Sequence, residues 1–137
     1  MTTKWINPAD GLMLDNGLRY LTTTLGDANV RFYVVKNWTT ADTTYAATVA
    51  KAITGPFAMT VPANPSSGTG TRYIPFPATG SVAVTVATTT EDLGLACVKT
   101  SATQQVLFVT ELTPDSALSV GNILEIGTFN LTYNQPT

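Results

Sequence analysis

Because the chain has no histidine, acid, base or nucleophilic chemistry in these 137 residues would fall mainly to nine acidic side chains and one cysteine. Two carboxylates can work as general acid and base, and an adjacent pair such as Glu91-Asp92 can bind a cation. A calcium loop needs several alternating oxygen ligands and a glycine, a spacing absent here. Nearly all of the candidate carboxylates lie at predicted turns or helix ends. They are Asp10, Asp15, Asp27, Asp42, Glu91, Asp92, Asp115 and Glu125. We expect them to make turns and cap helices, with no metal site.

Cys97 lies in the apolar segment 93–98, and the chain has no histidine to activate a serine or cysteine nucleophile. A thiol in such a segment is expected to be buried and inert. Gly68-Thr-Gly70 lacks the lysine of a phosphate-binding loop. The sequence therefore predicts no catalytic residue and no cofactor, and we expect the protein not to be an enzyme.

Net charge and hydropathy limit the classes of partner that the chain is expected to bind. Seven basic and nine acidic residues give a net charge of -2, without the basic excess that binds phosphate backbones, so we expect no nucleic acid partner. No apolar run approaches the roughly 18 to 20 residues that span a bilayer, so we expect no membrane insertion. The first ten residues lack the apolar run of a secretory signal.

Threonine is abundant throughout, and glycine and proline clusters separate short apolar segments, a pattern typical of antiparallel all-β domains. We predict a β-sandwich of jelly-roll or immunoglobulin-like type, with one short N-terminal helix docked on it and the strand order left open. The predicted strands span 29–36, 57–61, 73–77, 81–87, 93–99, 104–112 and 122–133. Residues 93–99 and 104–112 should pair as a hairpin.

Leucines 14, 18, 21 and 25 share one face of a predicted helix, and residues 42–51 fit either a helical turn or an edge. The proline- and glycine-rich stretch 62–70 predicts an exposed loop that can act as a contact arm. We divide the chain into an N-terminal arm (1–10), one β-sandwich domain (11–133) and a C-terminal tail (134–137).

Alternation predicts the buried faces of two strands. Val82, Val84 and Val86 should point inward. In the segment 104–112, Val106, Phe108 and Thr110 should face opposite to Leu107 and Val109.

Aromatic residues leave two functions open. A sugar-binding module would use exposed aromatic faces, and the candidates are Trp5, Trp38, Tyr20, Tyr45, Tyr73 and Tyr133. Trp5 and Trp38 suit either packing or contact, and we favour packing. Aromatic residues are also enriched at the centres of protein interfaces, so they do not separate glycan binding from assembly.

The chain resembles small virion proteins of tailed bacteriophages, the capsid decoration or cement family. The resemblance starts at Leu14-Asp-Asn-Gly-Leu18-Arg-Tyr-Leu21, continues through Gly26 and Val30-Arg-Phe-Tyr-Val-Val-Lys-Asn37, and ends at Gly121-Asn-Ile-Leu124-Glu-Ile126. It implies a structural protein on the capsid surface that binds between major capsid subunits and self-associates, with a trimer favoured. A head fibre base, a tail or baseplate component, and a carbohydrate-binding or adhesion module of a fibre are the alternatives.

Capsid or subunit contacts are expected on the arm, the long loop and the arginines, because a cement protein acts by burying surface. The candidate contact residues are Trp5, Ile6, Arg19, Arg31, Trp38, Asn64, Ser67, Thr69, Arg72 and Tyr73.

Overall fold

The structure, a computed structural model, describes residues 4–5, 25, 27–62, 66–68, 71–101, 103–113 and 117–134. These residues form a mainly antiparallel β fold with one short helix. The predicted helix over leucines 14 to 25 lies outside the described residues except for Leu25, which is buried.

The described strands form three small antiparallel sheets. The four-stranded sheet has the order β1-β7-β6-β2, the three-stranded sheet β3-β4-β9, and β5 and β8 form a ribbon. Their bounds are β1 (Lys4–Trp5), β2 (Val30–Lys36), β3 (Ser66–Gly68), β4 (Thr71–Phe76), β5 (Thr79–Ala83), β6 (Leu93–Lys99), β7 (Gln105–Leu112), β8 (Ile123–Ile126) and β9 (Phe129–Asn134). A 3-10 turn, Asp27–Asn29, precedes β2, and the helix α1 is Tyr45–Ala50.

β6 is one of the two inner strands of the four-stranded sheet, and all seven of its residues are buried. The strand predicted over 93–99 and its predicted hairpin with the next strand are both confirmed. A strand covered on both faces has no solvent side and is therefore a continuous apolar run. One face packs with residues from all three sheets, including Phe32, Phe76 and Ile126, and the other face joins Tyr33 and Val109 in a second cluster.

Helix α1 covers part of the second cluster and decides the open question about residues 42–51. Thr44 caps its first turn, since its hydroxyl accepts a hydrogen bond from the Ala47 amide at 3.1 Å. Tyr45 and Val49 pack against the cluster, and Thr48 is buried. A helix of six residues is too short to be stable alone, so docking on the sheet stabilises it.

A bulge in β7 makes the predicted alternation wrong at Val106 and Leu107, whereas Phe108 and Val109 face opposite sides as predicted. Cys97 pairs with Phe108 but Val98 pairs with Val106, so Leu107 is an extra residue between two register positions. Leu107 and Phe108 consequently belong to the same cluster, while Val106 and Val109 belong to the other.

The predicted strand 57–61 is wrong. Only Phe57 pairs, exchanging hydrogen bonds of 2.8 and 3.0 Å with Phe32. Met59 and Val61 are nevertheless buried and Thr60 is exposed, so the side chains alternate without a ladder among the described residues.

The expected loop 62–70 contains β3, which pairs with β4 from Ser66↔Tyr73 to Gly68↔Thr71. The strand predicted over 81–87 ends at Ala83, and the inward orientation predicted for Val86 is wrong. The amides of Thr85 and Val86 both donate to the Ile53 carbonyl, so the chain leaves the ladder before Val86.

The strand predicted over 122–133 is two strands, β8 and β9, in different sheets. Residues 127–128 separate them, which lets the chain pass from the ribbon to the three-stranded sheet. At the termini, β1 belongs to the predicted arm and β9 extends to Asn134, the first residue of the predicted tail.

Candidate functional site

The thiol of Cys97 is completely buried in the main core cluster. Burial raises the pKa of Cys97 well above its usual value, so the thiol stays protonated. Among the described residues, no group of three or more histidine, cysteine, aspartate or glutamate side chains is arranged to hold a metal ion.

Asp42 organises the loop between β2 and α1. Its Oδ2 accepts the Thr39 amide at 2.7 Å and lies 2.9 Å from the Lys51 Nζ. The Lys51 Nζ also donates to the Asn37 carbonyl at 2.7 Å. The bond with Lys51, followed by that with Thr39, lowers the pKa of Asp42. Asp42 therefore makes a turn, as the sequence predicts.

Glu91 and Asp92 hold the neighbouring turn before β6. Oε2 of Glu91 accepts hydrogen bonds from the amide and hydroxyl of Thr89, and the amide bond is the main cause of the lowered pKa of Glu91. Asn37 has a φ of 49° and exchanges hydrogen bonds with Asp92. Glu91 acts through its carboxylate and Asp92 through its backbone, and the bonds of Asp92 join the turn before β6 to Asn37 at the end of β2.

Trp38 is a core residue with only 4% of its surface exposed. Its Nε1 donates to the Thr48 Oγ1 at 3.0 Å and to the Asp42 carbonyl at 3.1 Å. The Thr48 hydroxyl in turn donates to the same carbonyl at 2.7 Å. The structure thus confirms the packing favoured for Trp38, which was also a candidate contact residue: its indole holds the loop before α1 through these hydrogen bonds.

The remaining predicted contact residues are spread over several elements. Trp5 lies on β1 and pairs with Phe108, Ser67 of β3 pairs with Arg72 of β4, and Tyr73 is half-buried on β4. Arg31 is half-buried on β2 and donates from Nη1 to the Val30 carbonyl at 2.7 Å. Four predicted contacts lie outside the described residues: Ile6, Arg19, Asn64 and Thr69.

An apolar surface at β8 was missed by the sequence interpretation. Val120 is 65% exposed at the tip of a turn, and Ile123 is 59% exposed at the start of β8. The turn is closed by the Asn122 amide, which donates to the Ser119 carbonyl, and Gly121 in its third position has a φ of 91°. The available signal was the turn sequence Gly121-Asn122 with an apolar residue on each side, because a turn exposes residues that a longer strand would bury.

A cleft of about 220 Å³ lies beside this surface. Its lining comes from distant parts of the chain: β2, the start of β6, the end of β7, and β8 with the residues next to it. Leu118 is held there by two backbone hydrogen bonds with Thr88. The lining residues are Val34, Leu93, Leu112, Thr113, Leu118, Leu124, Glu125, Ile126 and Gly127.

Comparison with protein-family models, curated proteins and solved structures finds no match to this chain. In the described part of the chain, no helix has the length and apolar character needed to cross a membrane. The apolar surface and the cleft at β8 are therefore the features from which we argue a function.

Proposed function

We propose that this protein is a structural virion protein that decorates and cements the capsid of a tailed bacteriophage by binding between major capsid subunits. The observation that carries the proposal is the exposed apolar pair Val120 and Ile123 beside an apolar cleft. Exposed apolar surface next to a concave site is typical of a protein contact, because burying it stabilises the complex. Ile123 belongs to the segment 121–126 that carries the resemblance to virion proteins, and Val120 immediately precedes that segment.

A β-sandwich of jelly-roll or immunoglobulin-like type is part of this proposal. It is supported by the main core cluster, to which the four-stranded sheet, β4, β8 and β9 all contribute buried residues. A core to which several sheets contribute suits a protein that must keep its shape while it is held between capsid subunits.

Self-association, with a trimer favoured, also belongs to the proposal. Sedimentation equilibrium of the purified chain at micromolar concentration tests it. A mass three times that of the chain supports a preformed trimer, and a single-chain mass overturns this part of the proposal.

Glycan binding receives no support from the described side chains. The large hydrophobic residues exposed there are Val86, Val120 and Ile123, none of them aromatic, whereas sugar-binding surfaces use exposed aromatic faces. We therefore keep the adhesion module as an outcome of the test rather than a second proposal.

The test is the copy number of this chain in particles purified from the source culture on a density gradient, measured by intact-mass spectrometry. We expect hundreds of copies migrating with heads. A handful of copies would contradict the decoration role and point to the tail, the baseplate or a fibre. Complete absence would reject the virion proposal and lead to a glycan-binding screen.

A further inference from the structure

β8 presents one edge of its backbone to the cleft. Its other edge pairs with β5 through Val82↔Leu124 and Ala83↔Ile123. In the part of the chain that the structure describes, no strand pairs with the cleft edge, and the consecutive residues 124–127 line the cleft. Side chains alternate between the two faces of a strand, so consecutive lining residues mean that the edge itself faces the opening. An open edge is a template for a further strand.

The inward side of this edge is apolar. Leu124 and Ile126 alternate inward along β8, and Leu112 and Leu118 line the cleft with them. The volume of about 220 Å³ exceeds the roughly 150 Å³ in which an apolar cavity binds benzene. One leucine- or phenylalanine-sized side chain therefore fits.

The outward face of β8 carries one apolar residue and one charged residue. Ile123 and Glu125 are both exposed on this face of β8. Within the described residues, the Glu125 carboxylate has no ion-pair or hydrogen-bond partner. A residue opposite Glu125 on an added strand would complement it best with a positive charge, since opposite charges stabilise cross-strand pairs.

We propose that this edge of β8, with which no described strand pairs, binds an extended segment of a partner protein by strand addition. The segment places an apolar side chain in the cleft and a lysine or arginine opposite Glu125. Backbone hydrogen bonds supply affinity in this mode, and the alternating side chains supply specificity. The inference rests on the proposed function only in taking the partner to be the major capsid protein.

Three capped peptides test the edge without any capsid: Thr-Thr-Leu-Lys-Leu-Thr-Thr, the same peptide with glutamate in place of lysine, and the lysine peptide with both leucines replaced by serine. Binding is followed by NMR of the isotope-labelled full chain. We expect the first peptide to shift the amides of residues 123–127 and the methyl groups of Leu118 and Leu124. The glutamate peptide should bind about two- to fivefold more weakly, the range of an exposed ion pair, and the serine peptide more weakly than both.

Glu125→Gln provides the decisive variant, because Glu125 is exposed and the change keeps its shape. It should abolish the preference for lysine over glutamate, whereas Glu125→Asp should retain it. Equal binding of the lysine and glutamate peptides to the unmodified protein would overturn the proposal. Shifts confined to another surface, or no shifts at millimolar peptide, would also overturn it.

The two proposals fail separately. If the peptide binds at β8 but the chain is absent from particles, the edge site stands and the capsid role is rejected. If hundreds of copies are found on heads but no peptide binds, the capsid role stands and the edge site is rejected.

Discussion

The four-stranded sheet and the β5–β8 ribbon use their apolar residues in opposite ways. β6 is buried at every position, and the sheet has a hydrophobic cluster on each face. In the ribbon, burial alternates along β8, and Ile123 is exposed opposite the exposed Ala83. The sheet is regular except for the bulge at Leu107, whereas the ribbon shifts register between Thr79 and Val82.

This difference indicates that stability and contact are separated in the molecule. Apolar area that is removed from water on folding stabilises the chain, and apolar area left in water is available to a partner. Substitutions in the sheet should therefore change the free energy of unfolding, and substitutions on the outward face of the ribbon should change binding.

The largest loss of stability is expected from Phe32→Ala. The Phe32 ring is fully buried and lies within 6.3 Å, between ring centroids, of Phe57, Phe76 and Phe108. Removing it should lower the free energy of unfolding by about 3–5 kcal/mol, measured by urea denaturation. Ile123→Ala, the exposed control, should stay within about 0.5 kcal/mol. Equal losses in the two variants would contradict the separation.

A smaller loss is expected from Thr48→Val, which keeps the side-chain shape and removes the hydroxyl. That hydroxyl accepts from the Trp38 indole and donates to the Asp42 carbonyl. Its removal should cost about 1–2 kcal/mol by the same measurement. Thr40→Val, at an exposed position of the same loop, is the control. A loss at Thr40 as large as at Thr48 would show that the buried network adds nothing.

Stability should also depend on Asp42 in acid. Its folded pKa is below the ordinary value of about 3.9, so its contribution is full above that pH and is lost as the pH falls through the folded pKa. The difference between the original protein and Asp42→Asn should be at most about 1 kcal/mol at pH 6 and should shrink toward pH 2. Urea denaturation at several pH values measures it. A difference that grows on acidification would contradict the Asp42–Lys51 pair.

The smallest effect, a gain, is expected in the ribbon at Ser81. This residue has a φ of 63° within the irregular part of β5. Because glycine adopts positive φ without strain, Ser81→Gly should raise the free energy of unfolding by about 0.5 kcal/mol, seen as a small rise in Tm. Ala83→Gly in the same strand should lower it. A fall in Tm for Ser81→Gly would show that Ser81 carries no strain.

Local pattern was enough to predict β6 and its hairpin with β7, because a strand buried on both faces is apolar along its whole length. Pattern failed for Leu107, since the bulge is set by pairing with β6 rather than by the sequence of β7. It failed for Val86 because the Ile53 carbonyl, more than 30 residues away along the chain, draws the backbone out of the ladder.

The candidate site could not be predicted from local sequence pattern, for a related reason. Val34, Leu93, Leu112 and Leu124 each belong to a strand that was predicted, but the cleft exists only where the ends of those strands meet. The packing favoured for Trp38 is confirmed, but its buried hydrogen-bond partners could not be predicted from a position just after a strand.

The most direct test of the account is a competition for heads that lack this chain. Equal amounts of the original protein and Ile123→Lys are mixed with such heads, and the bound ratio is read by intact-mass spectrometry. The control variant, Gln104→Lys, adds the same charge just before the start of β7, whereas the end of β7 at Leu112 lines the cleft. It is mixed in equal amount with the original protein and competed in the same way. We expect Ile123→Lys to be depleted about fivefold or more, because binding would bury an unpaired charge, while Gln104→Lys stays near one to one. A ratio near one for Ile123→Lys, or no binding by the original protein, would contradict the account.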